Sequence, residues 1–199
     1  MRTKPRRGTR SGPVTIPPAG PTGDVTRQER QAVAAIPPPD AFGTGVDPAA
    51  PAPSSVDDHL TDACTAGPLP SDRHTWGGSS QTWRLGDGST IEVYAQGYDI
   101  PGATVLREVT DRIACSAYPA APDSRERITV HRDLTVDGVS VPGGALYFCE
   151  TATKSRCTGL LVHDDVVTRV VTVAGTLDRA EQVLRQAVPV AARRLAAAW

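Results

Sequence analysis

The chain has no C-x-x-C pair, no long apolar run and no common catalytic signature, and it is poor in aromatic residues. Each absence removes a class. Without C-x-x-C, a thioredoxin-like redox centre is excluded, and a zinc site with closely paired ligands fits poorly. No stretch reaches the roughly 20 apolar residues of a transmembrane helix. G-x-S-x-G, H-E-x-x-H, an EF-hand loop and both nucleotide-binding fingerprints are missing. Gly43-Thr44-Gly45 is only a fragment of a nucleotide fingerprint. Net charge is −1, which gives no electrostatic case for a nucleic-acid partner.

What is present begins with four cysteines, Cys64, Cys115, Cys149 and Cys157, spaced 51, 34 and 8 residues apart. An even number at wide spacing reads as two structural disulfides, and so as an oxidising compartment. The N-terminus carries no matching export signal. Arg6-Arg7 resembles a twin-arginine signal, but no apolar run follows it. Arg2, Lys4, Arg6, Arg7 and Arg10 form a short basic start, which reads as a solvated terminus.

Residues 1–55 differ from the rest. They hold eleven of the eighteen prolines and one of the nine aromatics, Phe42. That composition predicts a disordered, Pro-rich basic segment or stalk, interrupted at most by a short helix over 25–36. Residues 56–199 are read as the folded domain.

Within it, strands Thr82–Leu85 and Thr90–Ala95 flank Gly86-Asp87-Gly88-Ser89, a hairpin signal. Pro101 opens an amphipathic helix whose apolar residues are Val105, Leu106, Val109 and Ile113, ending near Cys115. Further strands are expected at Ile128–His131, Ala145–Cys149, Thr158–Val162 and Val166–Val173, the last being β-branched almost throughout. Thr176 is a candidate N-cap for a second helix, with Pro189 expected to kink or break it. The layout is α+β: an antiparallel sheet with two main helices packed on one face.

Three segments, ATVLREVTDRIAC (103–115), CETATKSRCTGLLVHDDVVTRVVTV (149–173) and the Ala-rich stretch Leu177–Leu195, resemble the PknH-like extracytoplasmic sensor domain of actinobacterial receptor kinases and related lipoproteins. The resemblance covers about 140 residues. It implies a two-disulfide α+β domain with a cleft, at the cell surface, that senses or binds a ligand and does no catalysis. This chain departs from the family in having no attached kinase domain or membrane helix, and in the close spacing of Cys149 and Cys157. Of the three possible pairings, Cys64–Cys115 and Cys149–Cys157 are expected. The first would tie the linker exit to the helix end, and the second would clip neighbouring strands.

Candidate ligand-binding residues are Trp83, Arg84, Tyr94 and Tyr147. The rings offer stacking faces and polar tips. Tyr94 and Tyr147 are out of phase with Val93 and with Leu146 and Phe148, which places both on the sheet's second face. No catalytic residue, cofactor or metal is assigned. Asp57-Asp58-His59 and His163-Asp164-Asp165 read as polar turns and linker ends, not as ligand sets, because adjacent strand residues point to opposite faces. The partner is expected to be a small molecule or a cell-envelope component, and the chain a monomer. Two other functional readings remain. One is a small secreted hydrolase using a serine or histidine in the cleft; Gly77-Gly78-Ser79-Ser80 is Gly-rich but lacks the preceding strand of a nucleophile elbow, and nothing in the sequence places His59, His74, His131 or His163 near a serine. The other is a cytosolic partner-binding adaptor.

Overall fold

The run Val166–Ala174 forms β9, which lies in the middle of a sheet with β4 (Thr90–Tyr98) on one side and β8 (Ser155–His163) on the other. β-Branched side chains suit a strand buried on both faces. Eight of the nine β9 residues are buried and Val173 is half-buried. The computed structural model describes residues 23–49, 52–53, 59–64 and 67–199. The remaining elements are α1 (Gly23–Ala35), β1 (Asp47–Pro48), β2 (Ala52–Pro53), β3 (Thr75–Arg84), α2 (Gly102–Arg112), β5 (Ala117–Pro119), β6 (Arg127–His131), β7 (Ala145–Thr151) and α3 (Leu177–Ala196). The sheet runs β1-β3-β4-β9-β8-β7-β6-β5, antiparallel throughout, with β2 also pairing β3. The α+β class stands, and so do both expected disulfides, Cys64–Cys115 and Cys149–Cys157.

Local sequence explains the turns and caps. In the β3–β4 hairpin, Gly88 takes φ +82° and the Asp87 carboxylate accepts the Ser89 amide at 2.9 Å. Such a left-handed turn position suits glycine. Pro101 is the N-cap of α2, and the Thr176 hydroxyl caps α3 by accepting the Arg179 amide. Pro189 lies inside α3 without ending it, because Ala187 and Val188 before it and Ala191, Ala192 and Leu195 after it are all buried. Apolar burial on both sides of the proline outweighs its lost backbone hydrogen bond.

The helices do not share one face, and here the sequence-based arrangement needs correction. α3 and α1 pack over Ile91, Val93, Ala95, Cys157, Leu161, Val166 and Val170. α2 packs over the alternate residues, among them Tyr94, Tyr98, Leu160, Val162 and Val167. Because β4, β8 and β9 are apolar at both phases, each face of the sheet needs cover. The second face is completed by residues 59–64 and 67–74, a strap that places Leu60, Ala63 and Leu69 in the same cluster. Arg169 holds it down. This buried guanidinium donates to the carbonyls of His59 at 2.5 Å and Leu60 at 3.4 Å, pairs with Glu92 at 3.2 Å and lies 5.0 Å from the Tyr94 ring centre.

The N-terminal part also differs from expectation. Ala32, Ala35 and Ile36 are buried in the α3 cluster, and Phe42 meets Trp83 edge-on at 4.7 Å. Trp83 Nε1 donates to the Pro39 carbonyl at 2.9 Å. Residues 23–49 therefore belong to the packed domain, not to a stalk over 1–55. Small alanines let α1 approach closely, so a segment poor in aromatics can still be ordered against a surface made by the rest of the chain. Residues 1–22, with the basic start, and Val56 at the expected boundary lie outside the described residues.

Candidate functional site

The proposed residues Trp83, Arg84, Tyr94 and Tyr147 do not come together. Trp83 is fully buried on the α3 face and Tyr94 is buried on the α2 face. Arg84 is exposed at the end of β3. Tyr147 packs on the α3 side, against the position of Gly159. Tyr94 and Tyr147 thus sit on opposite faces, and the second face is no open surface, since α2 and the strap cover it. Asp57 and Asp58 lie outside the described residues, and Asp164 makes the β8–β9 turn at φ +49°. Among the described residues no three His, Cys, Asp or Glu side chains form a metal-binding group.

The histidines are individually engaged. His59 contacts Asp72 at 3.0 Å, His74 contacts Asp99 at 2.6 Å, and His163 stacks on Trp199 at 4.0 Å. His131 Nε2 is 3.0 Å from the Thr151 hydroxyl. Among the described residues no histidine bonds both a hydroxyl and a carboxylate, the arrangement a hydrolase triad requires.

A cleft forms where α2 ends. After Arg112 the chain turns through Cys115 into β5, a three-residue edge strand closed by Pro119, which suits an edge because it has no amide to donate. β5 pairs with β6 so that Tyr118 opposes Ile128. Across β6, Val130 opposes Glu150 of β7, and Glu150 opposes Arg156 of β8. Tyr118, Ile128, Val130, Glu150 and Arg156 therefore project from one face of four adjacent strands. This is the α2 face, beyond the reach of α2. The Cys64–Cys115 bridge pins the strap along its side.

Two cavities open here and share Tyr118 and Ile128. The larger, about 360 Å³, is walled by Pro119, Ala120, Ala121, Pro122 and Cys64, and Asp62 also lines it. The smaller, about 110 Å³, contains Glu150, Lys154 and Arg156. Glu150 is only 7% exposed, and the Tyr118 hydroxyl donates to its Oε1. Burial, that hydrogen bond and the Glu150 charge hold the phenol pKa well above its usual value, so Tyr118 stays a neutral donor. Lys154 and Arg156 are exposed, and neither makes an ion pair among the described residues.

Sequence reasoning missed this site. One signal was readable: Glu150 falls in phase with Leu146 and Phe148, so a carboxylate occupies the apolar phase of its strand. The pairing of Tyr118 with it depends on the β5–β6 register, which no local pattern reveals.

A solved structure of the extracellular domain of PknH from Mycobacterium tuberculosis superposes with a TM-score of 0.56 at 13% identity, covering 85% of this chain and 95% of that one. This chain has the fold of the PknH extracellular domain. A putative uncharacterized protein from Mycobacterium smegmatis, an Rv0999 ortholog, matches with a TM-score of 0.39 at 13% identity over 84% of this chain and 98% of that one. No family model matches the sequence, and no curated protein does. The PknH-like fold agrees with the resemblance carried by residues 103–115, 149–173 and 177–195. No helix among the described residues is long and apolar enough to cross a membrane.

Proposed function

We propose that this chain is a non-catalytic, extracytoplasmic sensor-like domain that binds a small ligand in the Tyr118 cleft. The observation that carries the reading is the PknH-like fold, matched over most of both chains. Two disulfides add to it, because such bridges persist in oxidising compartments. The cleft supports the ligand-binding part. It is concave, mostly apolar and carries a few convergent polar groups, the usual make-up of a small-molecule site.

Location is tested by counting free thiols in protein recovered from its native compartment, denatured without reductant. Zero thiols is the expected result. Four would overturn the extracytoplasmic reading.

A further inference from the structure

Three features of the cleft, taken together, narrow the ligand. The first is the wall of the larger cavity. Pro119 and Pro122 have no backbone N–H, and the alanines, Ile128 and Cys64 present no strong side-chain hydrogen-bonding group. Of the side chains lining this cavity only Asp62 and Tyr118 can hydrogen-bond, and the Tyr118 hydroxyl is already given to Glu150, so a polyhydroxylated ligand such as a sugar would leave most of its hydroxyls unpaired, which is costly. An apolar chain or ring meets no such penalty.

The second is the charge in the smaller cavity. Lys154 and Arg156 are two cations facing one carboxylate, Glu150, which already accepts the Tyr118 hydroxyl. An anion placed there gains charge-assisted hydrogen bonds from the guanidinium. The third is Asp62, an exposed carboxylate that lines the other cavity. It disfavours a second negative group at that end. Tyr118 lines both cavities; burial first and then Glu150 raise its pKa, with a smaller push from Asp62 against a pull from Arg156.

We propose that the cleft binds an amphiphile with a single anionic head: its apolar body on the Pro119–Pro122 wall, its carboxylate or phosphate ester at Lys154 and Arg156. This inference rests on the cleft being the ligand site, and the experiment separates the two.

The full oxidised chain is titrated with a dansyl-labelled fatty acid. It is then challenged with dodecanoate, dodecyl phosphate, dodecyltrimethylammonium and dodecyl maltoside, each below its critical micelle concentration. Both anions should displace the dye at least tenfold more effectively than the cation or the sugar head. Lengthening the chain should tighten binding by up to about fourfold per methylene. The ratio of carboxylate to phosphate identifies which head the site prefers. Replacing both cations, Lys154→Gln with Arg156→Gln, should cost the anions at least tenfold while leaving the melting temperature unchanged. Ile128→Trp, which fills the floor of both cavities, should abolish displacement by every probe. Loss on Ile128→Trp without discrimination among heads would keep the site and overturn the anionic ligand. Binding unaffected by Ile128→Trp, or no binding of any probe, would overturn the cleft itself.

Discussion

Tyr118 and Glu150 meet across β6, the hydroxyl of one edge strand donating to a carboxylate two strands away. The contact sits between the apolar and charged halves of the cleft, so it fixes both the site's floor and the protonation of its one phenol.

Removing the hydroxyl with Tyr118→Phe leaves a carboxylate that is 7% exposed without this donor. A loss of about 1–3 kcal/mol in urea denaturation is expected, the range for a buried polar group stripped of its partner. The same pair sets a pH dependence. Tyr118, Tyr98 and Tyr147 all have pKa values raised by burial, and Tyr118 also by Glu150. In the unfolded chain these phenols ionise near about pH 10. Above that point the unfolded state releases protons that the folded state keeps, so stability falls as pH rises. Below it, their contribution is fully present. Tyr118→Phe should make the decline above about pH 10 shallower. An unchanged slope would contradict the assignment.

The two disulfides should part company under mild reduction. Cys64 and Cys115 are half-buried, whereas Cys149 and Cys157 are fully buried beneath α3. Treatment with a phosphine reductant and iodoacetamide without denaturant should label Cys64 and Cys115 only, as read by peptide mass spectrometry. The Cys64–Cys115 bridge closes a 51-residue separation. Its loss should lower stability by about 4 kcal/mol on the loop-closure model. Labelling of Cys149 and Cys157 first would show that the α3 face opens more readily than the strap.

Arg169 is the anchor of the strap. Arg169→Ala strands the carbonyls of His59 and Leu60, and it removes the partner of Glu92. Glu92 is 38% exposed and keeps some solvation, so a cost of about 2–4 kcal/mol is expected, and not the full penalty of a buried unpaired charge. Amide exchange should accelerate over residues 59–64 more than over β8 and β9. Arg169→Lys, which keeps the charge but loses the fork, should recover part of the loss.

Much of the fold was legible because it rests on local chemistry. The Gly86–Ser89 turn, the Pro101 start of α2, the Thr176 cap and the β-branched run of β9 each declare themselves within a few residues. Cysteine number and spacing pointed to two bridges, their pairing followed from the place of each cysteine along the chain, and β7–β8 register sets Cys149 directly opposite Cys157. What stayed hidden depends on contacts distant in sequence. Assigning α2 and α3 to opposite faces requires knowing that β9 inserts between β4 and β8. The order of α1 depends on β3, β4 and α3 lying beneath it. Trp83 and Tyr94 look like cleft residues on adjacent strands, but strand alternation sends them into separate cores. Tyr118 gains its role from Glu150, 32 residues away in sequence.

The most direct measurement is the location of ligand-induced change. Two-dimensional amide NMR of the oxidised chain, titrated with dodecanoate, should show its largest shifts at Tyr118, Ala120, Ala121, Ile128, Glu150 and Arg156. Shifts confined to the apolar pocket of Phe42, Val46 and Val190 on the α3 face, or spread evenly over the surface, would contradict the assignment of the Tyr118 cleft as the ligand site.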